Sequence, residues 1–115
     1  MFIDEGTALN HMLDAAQEAV SFTYNRSRTD LDYDRMLTLA LLKDLEILGE
    51  AASRITTHRQ YAFPQISWRK ILQMRANFID AYFEINLDEI WRTATVDLPP
   101  LIIELEKIIT DNYKK

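Results

Sequence analysis

At 115 residues, with 48 % hydrophobic and 27 % charged side chains, the chain suits one globular domain spanning residues 1–115 with a single core. Two glycines and three prolines are too little turn punctuation for an all-β fold, and no cysteine is present for disulfides or thiolate-bound metal. The net charge of −5 speaks against a general nucleic-acid binder. No apolar run approaches the ~20 residues of a membrane span, and no charged-then-apolar leader opens the chain, so a cytoplasmic location without a membrane partner is the default expectation.

A first helix is expected from about Glu5 to Tyr24, where Leu9, Met12, Leu13, Ala16, Ala19, Val20 and Tyr24 recur three or four apart. Residues 25–28 read as a connection, after which Thr29 or Asp30 can cap a long second helix from about Leu31 to Thr56. Leu41, Leu45, Leu48, Ala52 and Ile55 give that helix a bundle-type seam, widened by Leu37 and Leu42, with Gly49 on its flank. The pattern lapses between Thr57 and Ile66, where Pro64 is costly inside a helix. Ser67 is placed to cap a third helix carrying Trp68, Ile71, Met74, Phe78 and Tyr82 on one side, fading near residues 83–85. Asn86 or Leu87 then leads into a segment whose acidic first turn, Asp88-Glu89, suits the helix dipole. Pro99-Pro100 should interrupt it, with helix resuming through Leu101, Ile103, Leu105, Ile108 and Ile109. Short connections favour an all-α, antiparallel four- to five-helix up-down bundle.

Charge is unevenly distributed. Residues 51–79 contain no Asp or Glu but hold Arg54, Arg59, Arg69, Lys70 and Arg75, a local +5, leaving 8 basic and 18 acidic groups, or −10, elsewhere. That run suits phosphate and equally suits a solvated basic face or an ion-paired partner surface. Most catalytic signatures are missing: there is no glycine-rich phosphate loop, no G-x-S-x-G elbow and no Glu-x-x-His di-metal pair, and His11 and His58 are far apart. The third helix remains. Arg75 falls among Trp68, Ile71, Ile79 and Tyr82, and an arginine on an apolar face requires a carboxylate partner, a ligand or a second protein.

Ser67-Trp68-Arg69-Lys70-Ile71, then Met74-Arg75, then Asp80 and Tyr82, resembles the arginine–histidine–tyrosine motif and lead-in of the HEPN superfamily, specifically the HepT-like toxin subunits of HEPN/MNT toxin–antitoxin modules. Leu45-Glu46-Ile47-Leu48-Gly49-Glu50-Ala51-Ala52 looks like that family's second-helix signature, and Asp88 through Pro99 like its closing segment. The resemblance implies a HEPN-like bundle and a metal-independent ribonuclease without cofactor. It implies further that the protein is homodimeric and opposed by a cognate MNT-type nucleotidyltransferase antitoxin. Carried over by position, Arg75 engages the scissile phosphate, Asp80 occupies the proton-handling position, and Tyr82 is the residue the partner nucleotidylates. Arg54, Arg59, Arg69 and Lys70 would hold the RNA backbone. The family's residue after the arginine is often polar; here it is Ala76, with Asn77 one step later as possible motif support.

Asp80 is the departure, standing where the family has histidine. A histidine near pKa 6.5 can accept and donate a proton at neutral pH, whereas an aspartate near 3.9 is a weak base that rarely carries one. Three readings follow: an RNase using Asp80 as base, a nuclease impaired at this position, or a non-catalytic subunit that binds the nucleotidyltransferase. On a regular helix Arg75 and Tyr82 lie within about 20° of one face, while Arg75 and Asp80 diverge by about 140°. A helix that loosens near Asp80, or a twofold dimer apposing two motifs, would bring the latter pair to one phosphate.

Overall fold

The chain enters its first helix through an acidic cap. Asp4 Oδ1 accepts a hydrogen bond from Thr7 N at 2.7 Å, which holds the Asp4 carboxyl below the usual carboxylate range and satisfies one of the free N–H groups of a helix start. The computed structural model describes residues 4–73 and 86–112, and over these it is all-helical with no strand. In order, α1 is Glu5–Phe22, α2 is Asp30–Tyr33, α3 is Arg35–Ser53 and α4 is Thr57–Ala62. Residues 68–73 are the described part of α5. Then α6, Leu87–Arg92, runs through a π turn, Thr93–Asp97, into α7, Leu98–Asn112.

The core forms where the apolar spacing of α1 meets that of α3. Leu9, Met12, Ala16 and Ala19 from α1 and Leu41, Leu45, Leu48 and Ala52 from α3 are all fully buried. α7 packs on the other side of α1, contributing Leu105, Ile108 and Ile109, and Ile90 with Ala94 closes the core from α6 and the π turn. Trp68 and Ile71 of α5 join the same cluster, with Trp68 Nε1 donating to the Phe63 carbonyl at 3.0 Å. No helix of the described residues is long and apolar enough to cross a membrane.

Five expectations need correction. The long second helix is two: Asp34 leaves helical geometry (φ −110°, ψ 92°) and accepts from Leu37 N at 3.0 Å, so it caps α3 and separates it from α2. Thr29 holds the N-cap position of α2 without a side-chain bond, and Asp30 instead accepts from Ser27 N in the preceding turn. The segment after Thr56 is not a lapse but a short helix, α4, capped by Thr56 Oγ1; because it buries no residue, it carries no hydrophobic rhythm. Pro99-Pro100 lie in the first turn of α7 rather than breaking it, since the π turn just before them absorbs the change in hydrogen-bond register that prolines impose. Tyr24 and Ile103 are exposed: α1 ends at Phe22 and Asn25 adopts a left-handed φ of 59°, which turns the chain away before Tyr24 can reach the core. Met74 and Phe78, expected in the third helix's apolar stripe, lie outside the described residues, as does its expected end near 83–85.

The two cap positions make a paired test. Asp34→Ala should lower stability by about 1 kcal/mol, whereas Thr29→Ala should stay within ~0.5 kcal/mol of the parent. Urea unfolding followed by helical circular dichroism measures both; equal losses would remove Asp34's special role.

Candidate functional site

The basic run of residues 51–79 is built from the end of α3, from α4 and from the start of α5. Arg54 follows α3 and pairs with Glu50, one turn back, at 2.9 Å. Arg59 sits in α4, where its Nε meets Glu5 Oε2 at 3.0 Å and its guanidinium carbon lies 4.9 Å from the Phe63 ring centroid. Glu5 also accepts from Thr56 Oγ1 at 2.9 Å, so one carboxylate ties the start of α1 to both the cap and the body of α4. Lys70 reaches Asp97 Oδ2 at 3.2 Å, and Arg92 meets the same oxygen at 3.5 Å. That oxygen is buried without a well-aligned hydrogen bond, so charge rather than donor geometry holds it. Arg69, by contrast, is exposed and makes no ion pair among the described residues.

Lys70 and Asp97 stand on the wall of a cavity of about 230 Å³ between the start of α5 and the π turn with the start of α7, lined also by Gln65, Ser67, Leu101 and Glu104. Ser67 precedes α5, and its carbonyl accepts from Ile71 N at 3.1 Å, as expected of the residue that opens the helix. The structure therefore brings Arg69 and Lys70 to the mouth of α5, whereas Arg54 and Arg59 belong to the α3–α4 corner. Arg75, Asn77, Asp80 and Tyr82, expected as the phosphate contact, motif support, proton-handling position and modification target, lie outside the described residues. Among the described residues no group of three or more His, Asp or Glu side chains is arranged to hold a metal ion.

One titratable site went unnoticed in the sequence. Asp44 of α3 is only 3 % exposed. Burial comes first and the neighbouring Glu18 carboxyl of α1 second in pushing the Asp44 carboxyl up to about 7. With both carboxyls ionised neither can donate, and Asp44 Oδ2 has no hydrogen-bond partner; a proton on Asp44 turns the repulsion into an acid–carboxylate hydrogen bond. The signal was present: Leu37, Leu41, Asp44, Leu48, Ala51 and Ile55 form an unbroken 4-3-4-3-4 stripe, with a carboxylate in place of its third apolar residue.

A family model described as Ribonuclease HepT-like matches residues 12–108. Among curated proteins, the chain is 31 % identical over 100 residues to "Probable ribonuclease HepT" of Thermococcus cleftensis, covering 87 % of this chain and 91 % of that protein. It is 28 % identical over 103 residues to "Putative RNase MJ1216" of Methanocaldococcus jannaschii, covering 90 % of this chain and 85 % of that one. A third relative, "Putative RNase TTE0752" of Caldanaerobacter subterraneus, is 29 % identical over 101 residues, 88 % of this chain and 90 % of its own. No solved structure matches the chain.

The raised Asp44 pKa has a defined sign. A carboxyl whose folded value exceeds its unfolded 3.8 contributes stability that is complete below about 4 and is lost as pH rises through about 7. Asp44→Asn, which carries a permanent donor, should therefore gain ~1–3 kcal/mol on the parent at pH 8 and lose that advantage near pH 5. Urea unfolding of both proteins at the two pH values checks it; a pH-independent difference would refute the assignment.

Proposed function

Since this chain belongs to the Ribonuclease HepT-like family, of the HEPN superfamily, we propose that it is an endoribonuclease that cleaves RNA without a metal ion and serves as the toxin of a toxin–antitoxin pair. The observation that carries this reading is the match over residues 12–108, which spans the whole Ser67–Tyr82 motif, together with curated relatives named as ribonucleases along most of their length.

The chemistry follows from the residue types. The ribose 2′-oxygen attacks the adjacent phosphorus, the bond from phosphorus to the 5′-oxygen breaks, and the products are a 2′,3′-cyclic phosphate and a 5′-hydroxyl. Arg75 stabilises the charge that builds on the phosphate oxygens, a preorganised electrostatic contribution. Asp80 accepts the 2′-hydroxyl proton and, once protonated, can return it to the departing 5′-oxygen. Arg69 offers an exposed guanidinium beside the motif, and Lys70 can exchange its exposed bridge to Asp97 for a phosphate at small cost. The 140° divergence of Arg75 and Asp80 on a regular helix favours a homodimer whose motifs are apposed across a twofold axis. Tyr82 shares a helix face with Arg75, so nucleotidylation of its hydroxyl by a nucleotidyltransferase antitoxin would place a bulky anion at the phosphate site and silence it.

A second reading rests on Asp80 itself: without the family's histidine the protein could be a non-catalytic subunit that binds the nucleotidyltransferase. Incubation of purified protein with a small structured RNA in EDTA separates the two. The enzyme reading expects cyclic-phosphate ends from the parent, a loss of about 10²-fold or more in Arg75→Ala, and higher activity in Asp80→His. Equal, negligible cleavage by all variants would establish the binding reading. Arg69→Ala should weaken RNA binding modestly and reduce the slope of log affinity against log salt by about 1.

A further inference from the structure

The Asp44 carboxyl has no part in the proposed cleavage, and its surroundings are those of a recognition site. Its side chain is 97 % buried by packing yet opens into a concavity of about 320 Å³ between α1 and α3, whose other walls are His11, Asp14, Ala15, Glu18 and Ile47. Asp44 Oδ2, aimed into that space, has no hydrogen-bond partner. α1 carries Glu5, Asp14 and Glu18 and no lysine or arginine, so the wall is acidic along its length. The adjacent cation on α3, Lys43, turns instead to Glu46 at 3.9 Å. The described part of the chain thus places an unpaired buried carboxylate at the bottom of an acidic recess and supplies no cation of its own to fill it.

We propose that this recess receives the guanidinium of an arginine carried by a partner protein, with its fork spanning Asp44 and Glu18. An anion is excluded by charge. A metal ion is disfavoured because the His11, Asp14, Glu18 and Asp44 side chains are not arranged to coordinate one. Between the two cationic side chains, the guanidinium is the more weakly hydrated and presents parallel N–H donors that two carboxylates can share, whereas an ammonium is a compact point charge that gives up its water reluctantly. The wall also fits a longer occupant. Ile47, 39 % exposed, offers apolar surface to the arginine's methylenes, and Met36, 83 % exposed, lies within about 20° of Ile47 around α3, three turns away. A free small cation would leave that second apolar contact unused; a protein segment would cover both.

Binding of the cation favours the ionised form of Asp44, so affinity must rise with pH. The groups facing Asp44 across the recess are His11, Asp14 and Glu18 of α1. Acidification charges histidine and protonates the Asp44 carboxyl, and both changes oppose the cation.

The full chain can be titrated by two-dimensional NMR with N-acetyl-arginine N-methylamide, with the citrulline and lysine counterparts alongside. The expected result is saturable shifts confined to residues 11–18 and 43–47 with the arginine probe at pH 8. Affinity should fall by about tenfold in Asp44→Asn and likewise on moving to about pH 5.5. Carboxyl-carbon titration should show the probe lowering the pKa of Asp44. Should Asp44→Asn fold poorly, Glu18→Gln, which alters only an exposed carboxylate, must show the weakened binding. The proposal is overturned if the arginine probe produces no saturable shifts, if citrulline or lysine binds as well, or if neither substitution weakens binding. Because none of these readouts involves RNA, they stand apart from the outcome of the cleavage assay.

Discussion

The apposition of α1 and α3 governs the rest of this molecule. Ala8, Ala15, Ala16 and Ala19 on one helix and Ala51 and Ala52 on the other are buried among larger residues, so the two surfaces mesh small against large rather than standing apart on bulky side chains. Leu9 and Met12 fill the spaces between Leu41, Leu45 and Leu48 at full burial. Once this pair is set, α7 has the far side of α1 to cover, and α6 with the π turn closes the remaining opening. The same apposition forces two carboxyls, Asp44 and Glu18, to meet where only apolar groups would be comfortable. A protein retains such a cost when something other than stability depends on it, which is why the recess attracts a functional reading.

Electrostatics looks different in three dimensions from its appearance as a count along the chain. The +5 of residues 51–79 suggests a strong field, yet Arg54, Arg59 and Lys70 each have a carboxylate at 2.9–3.2 Å. Those pairs are at least partly solvated, and exposed pairs are worth about 0–1 kcal/mol. An RNA phosphate can therefore compete for the same cations, but each exchange strips a carboxylate whose other duty is structural. Glu5 anchors α4 to α1, and Asp97 holds Lys70 and Arg92 together, so RNA contact at these positions is linked to the joints between helices. Arg69, outside this network, can meet phosphate without disturbing any joint.

Periodicity made the main packing legible: every seam residue from Leu41 to Ile55 is buried, and Trp68 and Ile71 are buried as expected. Where the sequence misled, the reason is physical in each case. Asp34 lies in a helical rhythm on both sides, and only its cap hydrogen bond reveals the break. α4 buries nothing, so hydrophobic spacing could not announce it. The two prolines looked like a stop because sequence patterns assume one helical register, and the π turn changes it. The candidate site was legible through residue order rather than geometry: the Arg75–Tyr82 motif is a string of residue types, while the pairing of Asp44 with Glu18 joins positions 26 apart and needed the fold to bring them together. Even so, the intrusion of a carboxylate on an otherwise apolar stripe could have been noticed.

The π turn at Thr93–Asp97 also says something about what lengths of chain this fold will tolerate. A π turn holds one residue more than the α-helical turn it replaces, and here that extra residue is absorbed between two segments that both face the core. Ile90 and Ala94 lie before or within it, and Leu98, Leu105 and Ile108 follow, all buried. Loss of a single residue from 93–97 would relax the stretch to an ordinary α-helix and rotate everything downstream by about 100°. Leu105 and Ile108 would swing toward solvent, and Asp97 would leave Lys70 and Arg92 without their common carboxylate. The spacing between the acidic start of α6 and the proline pair is thus a ruler for the whole C-terminal third, and chains sharing this fold should vary the identities within that interval far more freely than its length.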